Sequence, residues 1–332
     1  MEYALPVIFF FLMGFALFLY VILDGYDLGI GLLLPLADDD EKDLMIASIG
    51  PFWDANETWI VLGVGILLIA FPLAHGMILT ALYLPVTFML MGLILRGVAF
   101  DFRVKAGDQH KPMWNKLFFL GSLITTVCQG WMIGSYITGL GSSIENSVFS
   151  LLIAITLPSL YVLLGASWLL IKTEGKLFEK SIGWAKHAWL PMGVALVTVS
   201  VATPIVSESI ANKWFTVQNF IGLVPIPFTT AVAYLGVGWI LRQSNILKSG
   251  WEWLPMVGVV VICIMSSIGM AYSLFPYIVI DQITIWDAAS DKNSLLIILA
   301  GVGVTVPLIV LYTGFVYYIF RGKATKLSYG SD

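Results

Sequence analysis

The chain reads as an all-α polytopic membrane protein that crosses the bilayer about nine times. Composition, run length and charge placement carry that reading. Of its 332 residues 59% are hydrophobic and only 11% are charged, against about 25% charged in an ordinary soluble domain. A chain this apolar could not cover a water-exposed surface. Its apolar residues gather into runs of about 20 or more, the length a helix needs to span the hydrocarbon core. Its basic residues concentrate on alternate connections, as the sidedness of a membrane protein requires.

Taken in order, the predicted segments cover roughly 6–34, 51–73, 77–100, 117–139, 148–171, 188–209, 219–241, 254–276 and 294–320. They form a single integral membrane domain over residues 1–332. The first segment is too long for one straight crossing, so it is expected to tilt, or to loosen near Gly25, Gly29 and Gly31 before Pro35 stops it. The N-terminus has neither a basic leader nor a small-residue cleavage site, so this segment is expected to be retained. One side of the membrane receives Lys42, Arg96, Arg103, Lys105, Lys111, Lys116, Lys172, Lys176, Lys180, Lys186, Arg242, Lys248, Arg321, Lys323 and Lys326. The other receives only Lys213 and Lys292. That bias places the N-terminus outside and the C-terminus in the cytoplasm. The acidic connection 38–43 falls inside, and acidic residues weigh little in this rule. Trp189-Leu-Pro-Met192 and Trp253-Leu-Pro-Met256 each stand where an even-numbered segment is expected to open. Gly165-x-x-Trp168 and Gly236-x-x-Trp239 close the segments before them. The pattern suggests duplicated hairpins, or reuse of interfacial Trp and first-turn Pro.

Some chemistries are excluded. A net charge of −4 without a basic tract argues against nucleic acid. Cys128 and Cys263 lie inside apolar runs without a neighbouring Cys or His, which argues against a metal site or structural disulfide. His75, His110 and His187 fall at a turn or beside connections. The chain therefore offers no set of mid-membrane imidazoles for haems, leaving Met as the other axial ligand type. No phosphate loop or nucleophile elbow is present.

Charge appears instead at one end of the first three segments. Asp24 and Asp27 are three apart on one helix face, as are Asp54 and Glu57 in the first turns of the second segment. Arg96 is expected about one turn inside the cytoplasmic end of the third segment, with Asp101 at that end. Short connections make these segments neighbours, so the polar residues should meet at similar depth. Carboxylates inside a membrane are costly and need a reason. One reason is packing: a charge network around Arg96, with carboxylates capping the positive end of the second segment. The other is a carboxylate chain that carries protons, since partial desolvation lets a carboxylate exchange protons near neutral pH. Trp53 and Trp59 suit interfacial anchors, with a flat ring beside a quinone as the alternative. Glu145, Glu208, Asp281 and Asp287 read as solvated on the outer side.

Asp24-Gly-Tyr-Asp-Leu-Gly-Ile-Gly31, Pro51-Phe-Trp-Asp-Ala-Asn-Glu-Thr-Trp59, Ala70-Phe-Pro72 and Arg96-Gly-Val-Ala-Phe-Asp-Phe-Arg-Val-Lys105 resemble subunit II of the cytochrome bd-type quinol oxidases. The short connections are most similar to the compact, cyanide-insensitive branch. The motifs cover about the first 105 residues, and the rest fits by helix number and length. The resemblance implies two four-helix bundles plus one peripheral helix, in a bacterial inner membrane. It implies a complex that couples quinol oxidation to reduction of oxygen to water, with haems b and d and the quinol-oxidising loop in a partner, subunit I. It implies no haem bound by this chain, and leaves open a bound quinone, lipid and a small accessory subunit. Carried over by motif, Asp27, Asp54 and Asp101 become proton-path residues and Trp53 and Arg96 quinone-side residues. Asp24 and Glu57 join the path by helix spacing. Many members have Gly where this chain has Ala55, and Ala is expected to stiffen the start of the second segment. A proton-coupled transporter is the competing function, but it would place charge near the midplane in both halves. A purely structural scaffold for the haem subunit is the other.

Overall fold

The computed structural model describes residues 3–325, so Lys326 lies outside the described residues. Nine helices among them are long and apolar enough to cross a membrane. In chain order the elements are α1 (Ala4–Leu33), α2 (Asp39–Ile49), α3 (Trp53–Ala70), α4 (Pro72–Ala81), α5 (Tyr83–Lys105), α6 (Lys111–Ile137), α7 (Ile144–Lys172) and α8 (Gly175–Val206). There follow α9 (Glu208–Phe215), α10 (Val217–Leu223), α11 (Pro225–Arg242), the single turn α12 (Ser244–Ile246) and α13 (Leu254–Leu274). An antiparallel pair of strands, β1 (Tyr277–Val279) and β2 (Ile283–Thr284), precedes α14 (Lys292–Ile319). The spans are α1, α3, α5, α6, α7, α8, α11 with the end of α10, α13 and α14.

The first span does not loosen at its glycines. It runs unbroken to Leu33, and Pro35 sits in the 3-10 turn that follows. Its glycines serve packing. Where α1 crosses α7, a Cβ on Gly165 would lie 2.7 Å from the Gly29 backbone, and one on Gly29 would overlap the Tyr161 carbonyl oxygen. Helices in lipid associate through such small-residue contacts, because lipid tails give no hydrophobic drive between them.

The connection after α1 is a helix rather than a loop. Asp38 caps α2, and the Glu41 side chain returns to accept from the Asp38 backbone N–H at 2.9 Å, a capping box with its acidic first turn at the positive helix end. Pro72 starts α4, so His75 lies on a short helix rather than in a turn. This pushes the start of α5 to Tyr83, and α5 continues to Lys105. Arg96 therefore lies roughly 13 Å inside that helix end, deeper than the single turn expected.

The duplicated-hairpin reading fails. Trp189 and Pro191 lie in the middle of α8, which already begins at Gly175, whereas Trp253 and Pro255 open α13. Gly165 makes the tight α1 crossing while Gly236 faces open space. The shared residues are interface types used at unequal positions.

Packing centres on α1, which touches α3, α6, α7 and α13. The order α5–α6–α7–α8 continues by neighbouring contacts, and α11 lies on α13 and α8. Helix α14 reaches α1 but buries only Leu295 and Val316 among its described residues. Large apolar side chains on α3, α5 and α14, such as Leu68, Ile94 and Leu311, point outward.

Candidate functional site

The polar interior lies where α1, α3 and α5 meet. Periodicity puts Asp24 and Asp27 on one face of α1, and that face turns inward, leaving both fully buried. Arg96 on α5 is 1% exposed. Its guanidinium spans two helices: Nη1 lies 2.6 Å from Asp24 Oδ1, and Nη2 donates to Glu57 Oε2 of α3 at 2.9 Å. The fork geometry of arginine suits such a two-carboxylate bridge. Glu57 keeps its side chain 26% exposed, so the bridge runs from an accessible carboxylate to an inaccessible one.

Asn56, next to Glu57 on α3, holds the second buried carboxylate. Its Nδ2 donates to Asp27 Oδ2 at 2.9 Å and to the Tyr26 hydroxyl at 2.7 Å. The Tyr26 and Tyr317 hydroxyls are 2.5 Å apart, and Tyr317 donates to Asn56 Oδ1 at 3.1 Å. Asn56 to Tyr26 to Tyr317 and back thus closes a ring of hydrogen bonds that ties α14 to α1 and α3. Trp168 of α7 stacks on Tyr26, with ring centroids 4.3 Å apart. Deeper along α1 lies the buried Tyr20 hydroxyl. Gln129 of α6 donates to it at 2.6 Å and accepts from Tyr161 of α7 at 2.6 Å. Asp27 Oδ1, Arg96 Nε and Trp59 Nε1 are buried without a hydrogen-bond partner among the described residues. A buried polar atom left unpaired costs about 1–3 kcal/mol, so the site is less settled than its surroundings.

Not every residue expected here joins this centre. Asp54 is exposed in the first turn of α3, one turn before Glu57, and Asp101 is exposed on α5 outside the Arg96 ion pairs. The α3 N-cap is Phe52, which makes no side-chain cap; Asp54 in the first turn still complements the positive helix end. Trp53 is half-buried against Phe100, ring centroids 4.9 Å apart, and over Gly97. Trp59 is buried beside Phe15. A second polar group near the same helix ends went unread: Arg103 donates to Asn115 at 2.5 Å and to Asp43 at 2.9 Å, and Lys111 also reaches Asp43. It ties α2 to α5 and α6.

Exposure therefore falls in sequence from Asp54 through Glu57 to Asp24 and Asp27. Such a graded line of carboxylates can take up a proton at the surface and hand it inward. The Arg96 guanidinium opposes the charge of Asp24 directly, while Asn56 holds Asp27 by a hydrogen bond. His75 is half-buried on α4, and His110 and His187 are exposed. Among the described residues no group of three or more His, Cys, Asp and Glu could hold a metal ion.

Residues 5–320 match the family described as cytochrome bd terminal oxidase subunit II. Subunit 2 of the cytochrome bd-I ubiquinol oxidase of Escherichia coli (strain K12) is 25% identical over 370 residues, covering 97% of this chain and 96% of that one. Subunit 2 of the cytochrome bd ubiquinol oxidase of Bacillus subtilis (strain 168) is 26% identical over 327 residues, covering 92% and 93%. The solved structure of bd oxidase from Geobacillus thermodenitrificans superposes with a TM-score of 0.76 at 15% identity, over 96% of this chain and 98% of that one; this likeness is one of fold.

Proposed function

The chain belongs to the cytochrome bd terminal oxidase subunit II family, and from that membership we propose that it feeds cytoplasmic protons toward an oxygen-reducing partner. It is a subunit of a bd-type quinol oxidase and works in a complex with subunit I. It is a multi-pass protein of the bacterial inner membrane. In this reading haems b and d belong to the partner, which performs the redox chemistry, and no step passes through a haem in this chain. The observation that carries the proposal is the fall in exposure from Asp54 through Glu57 to the Arg96-bridged Asp24 and on to Asp27.

Oxygen reduction consumes protons, and a bilayer offers them no aqueous route. Asp54 would take protons from the surface and Glu57 would pass them inward. Asp24 and Asp27 would hold them between α1 and α3. Asp101 would add to the acidic mouth. Trp53 and Arg96 would form the quinone side, Trp53 partly exposed and Arg96 buried behind it as the bridge between carboxylates. Any bound quinone would lie against the Trp53 and Phe100 rings. The 1–332 chain is read as one membrane domain of two four-helix bundles, with α14 at the edge.

Asp54→Asn tests the outer member. Asn keeps the shape of Asp but carries no proton. With haem content unchanged, quinol-driven oxygen uptake is expected to fall a few-fold, most at high pH where protons are scarce. Equal rates across the pH range would leave Asp54 with a helix-end role and favour the scaffold reading. Orientation is tested separately. The bias of basic residues supports a cytoplasmic C-terminus, so a reporter fused there is expected to be active only in the cytoplasm. Activity only outside would put the acidic mouth on the wrong face.

A further inference from the structure

We propose that the cleft between α8 and α11 binds the headgroup phosphate of an anionic phospholipid through Lys186 and Arg242. A cavity of about 150 Å³ opens there, lined by Lys186, Trp189, Gly238, Leu241 and Arg242. Arg242 is the last residue of α11, and both basic side chains are exposed. Neither has an acidic partner among the described residues. Other basic residues of this region are neutralised: Lys180 pairs with Asp38 and Glu41, Lys248 with Glu179, and Lys323 with Glu252. Of the basic residues on α8 and α11 left without an acidic partner among the described residues, Lys186 and Arg242 line the cleft and Lys176 does not.

The cleft is built rather than incidental. Trp189 of α8 stacks on Tyr234 of α11, ring centroids 4.5 Å apart at 10°. The contact is locked from both sides, because Trp189 Nε1 donates to the Tyr234 carbonyl at 2.9 Å and the Tyr234 hydroxyl donates to the Trp189 carbonyl at 3.3 Å. Each ring fills a glycine site on the other helix. A Cβ on Gly238 would lie 2.5 Å from the indole, and one on Gly193 would overlap the tyrosine hydroxyl. The Arg242 guanidinium lies over the fixed indole at 5.0 Å. That stacking holds the planar fork in place, and such a fork matches phosphate oxygens.

The surroundings favour a lipid over a free anion. Exposed apolar side chains run away from the cleft along both helices, Leu190, Val194 and Val197 on α8 and Leu235 and Trp239 on α11. Acyl chains attached to the bound phosphate would lie along them. Basic pockets between transmembrane helices recognise anionic headgroups.

The test uses the purified complex with subunit I. It is exchanged into nanodiscs of phosphatidylcholine containing phosphatidylglycerol, released into detergent, and examined by native mass spectrometry. The Lys186→Gln/Arg242→Gln double variant, at unchanged haem content, is expected to retain phosphatidylglycerol roughly tenfold more weakly than the wild type. A Lys176→Gln control is expected to match the wild type, and excess inorganic phosphate is expected to leave the lipid bound. Equal retention by the double variant and the wild type would overturn the assignment. So would complete displacement by inorganic phosphate, which would make the cleft a free-anion site.

Discussion

Arg96→Ala is expected to abolish assembly of the oxidase while leaving the chain synthesised. Arg96 is 1% exposed and is ion-paired to Asp24 and to Glu57. Its removal would leave Asp24 buried with no opposing charge and would loosen α5 from α1 and α3. Deleting one partner of a buried ion pair costs about 3–5 kcal/mol. Each 1.4 kcal/mol is a factor of about ten in an equilibrium constant, so the ratio of folded to unfolded chain would drop by roughly a hundredfold or more. The measurement is haem per unit of membrane protein after purification of the complex. Arg96→Lys is expected to recover part of the yield, because an ammonium restores the charge but cannot fork to two carboxylates. Arg96→Gln combined with Asp24→Asn is expected to assemble better than Arg96→Gln alone, since no uncompensated Asp24 charge remains. Normal yield and normal turnover of Arg96→Ala would show that the ion pairs do not hold these helices together.

Glu57→Gln is expected to assemble yet to turn over slowly. Glutamine is isosteric and its amide oxygen can still accept from Arg96 Nη2, now 2.9 Å away. Arg96 keeps Asp24 as counter-charge, so the packing cost is small beside that of removing Arg96. What is lost is the one partly exposed carboxylate that contacts the arginine among the described residues. On the proposed path, no other titratable group among the described residues would then link Asp54 to Asp24. Positioned proton-transfer groups are worth about 10²–10⁴-fold in rate. A loss of roughly tenfold or more in oxygen uptake per haem is expected, steeper at high pH. Glu57→Asp retains a carboxylate on the same turn and is expected to recover much of the rate. If both variants lose haem in parallel while turnover per haem stays normal, Glu57 is a packing residue and the scaffold reading gains.

Much of this arrangement could be read before any coordinates were known. Runs of apolar residues marked the nine spans because lipid imposes one rule along a whole helix. The i, i+3 spacing put Asp24 with Asp27, and Asp54 with Glu57, on common faces, and the order of helices brought Arg96 to them. What could not be read was which face turns inward. Asp54 and Glu57 are one turn apart, yet Asp54 ends exposed and Glu57 contacts Arg96, because the roll of α3 against α1 is set by packing around Gly63, Asn56 and Trp59. Asn56 stood inside a motif without an assigned role; only the tertiary structure shows it holding Asp27 and receiving Tyr317 from the far end of the chain. The α2 helix was legible in principle, since Asp38 followed three residues on by Glu41 is a capping-box signature. It was obscured because the acidic run reads first as a solvated connection. The depth of Arg96 was missed because α5 runs on to Lys105, five residues beyond the expected end at 100.

The most direct test of proton delivery by this subunit is to watch protons leave the cytoplasmic side during a single turnover. Purified oxidase is reconstituted with a pH-sensitive dye facing that side, reduced, and mixed rapidly with oxygen. Wild-type enzyme is expected to take up protons in step with oxygen reduction. Glu57→Gln, matched for haem, is expected to take them up roughly tenfold more slowly, with the reduction phases that need protons slowed to the same extent. Proton uptake at the wild-type rate in Glu57→Gln would contradict delivery through the Asp54–Glu57–Asp24 line and leave the buried charges with a structural role alone.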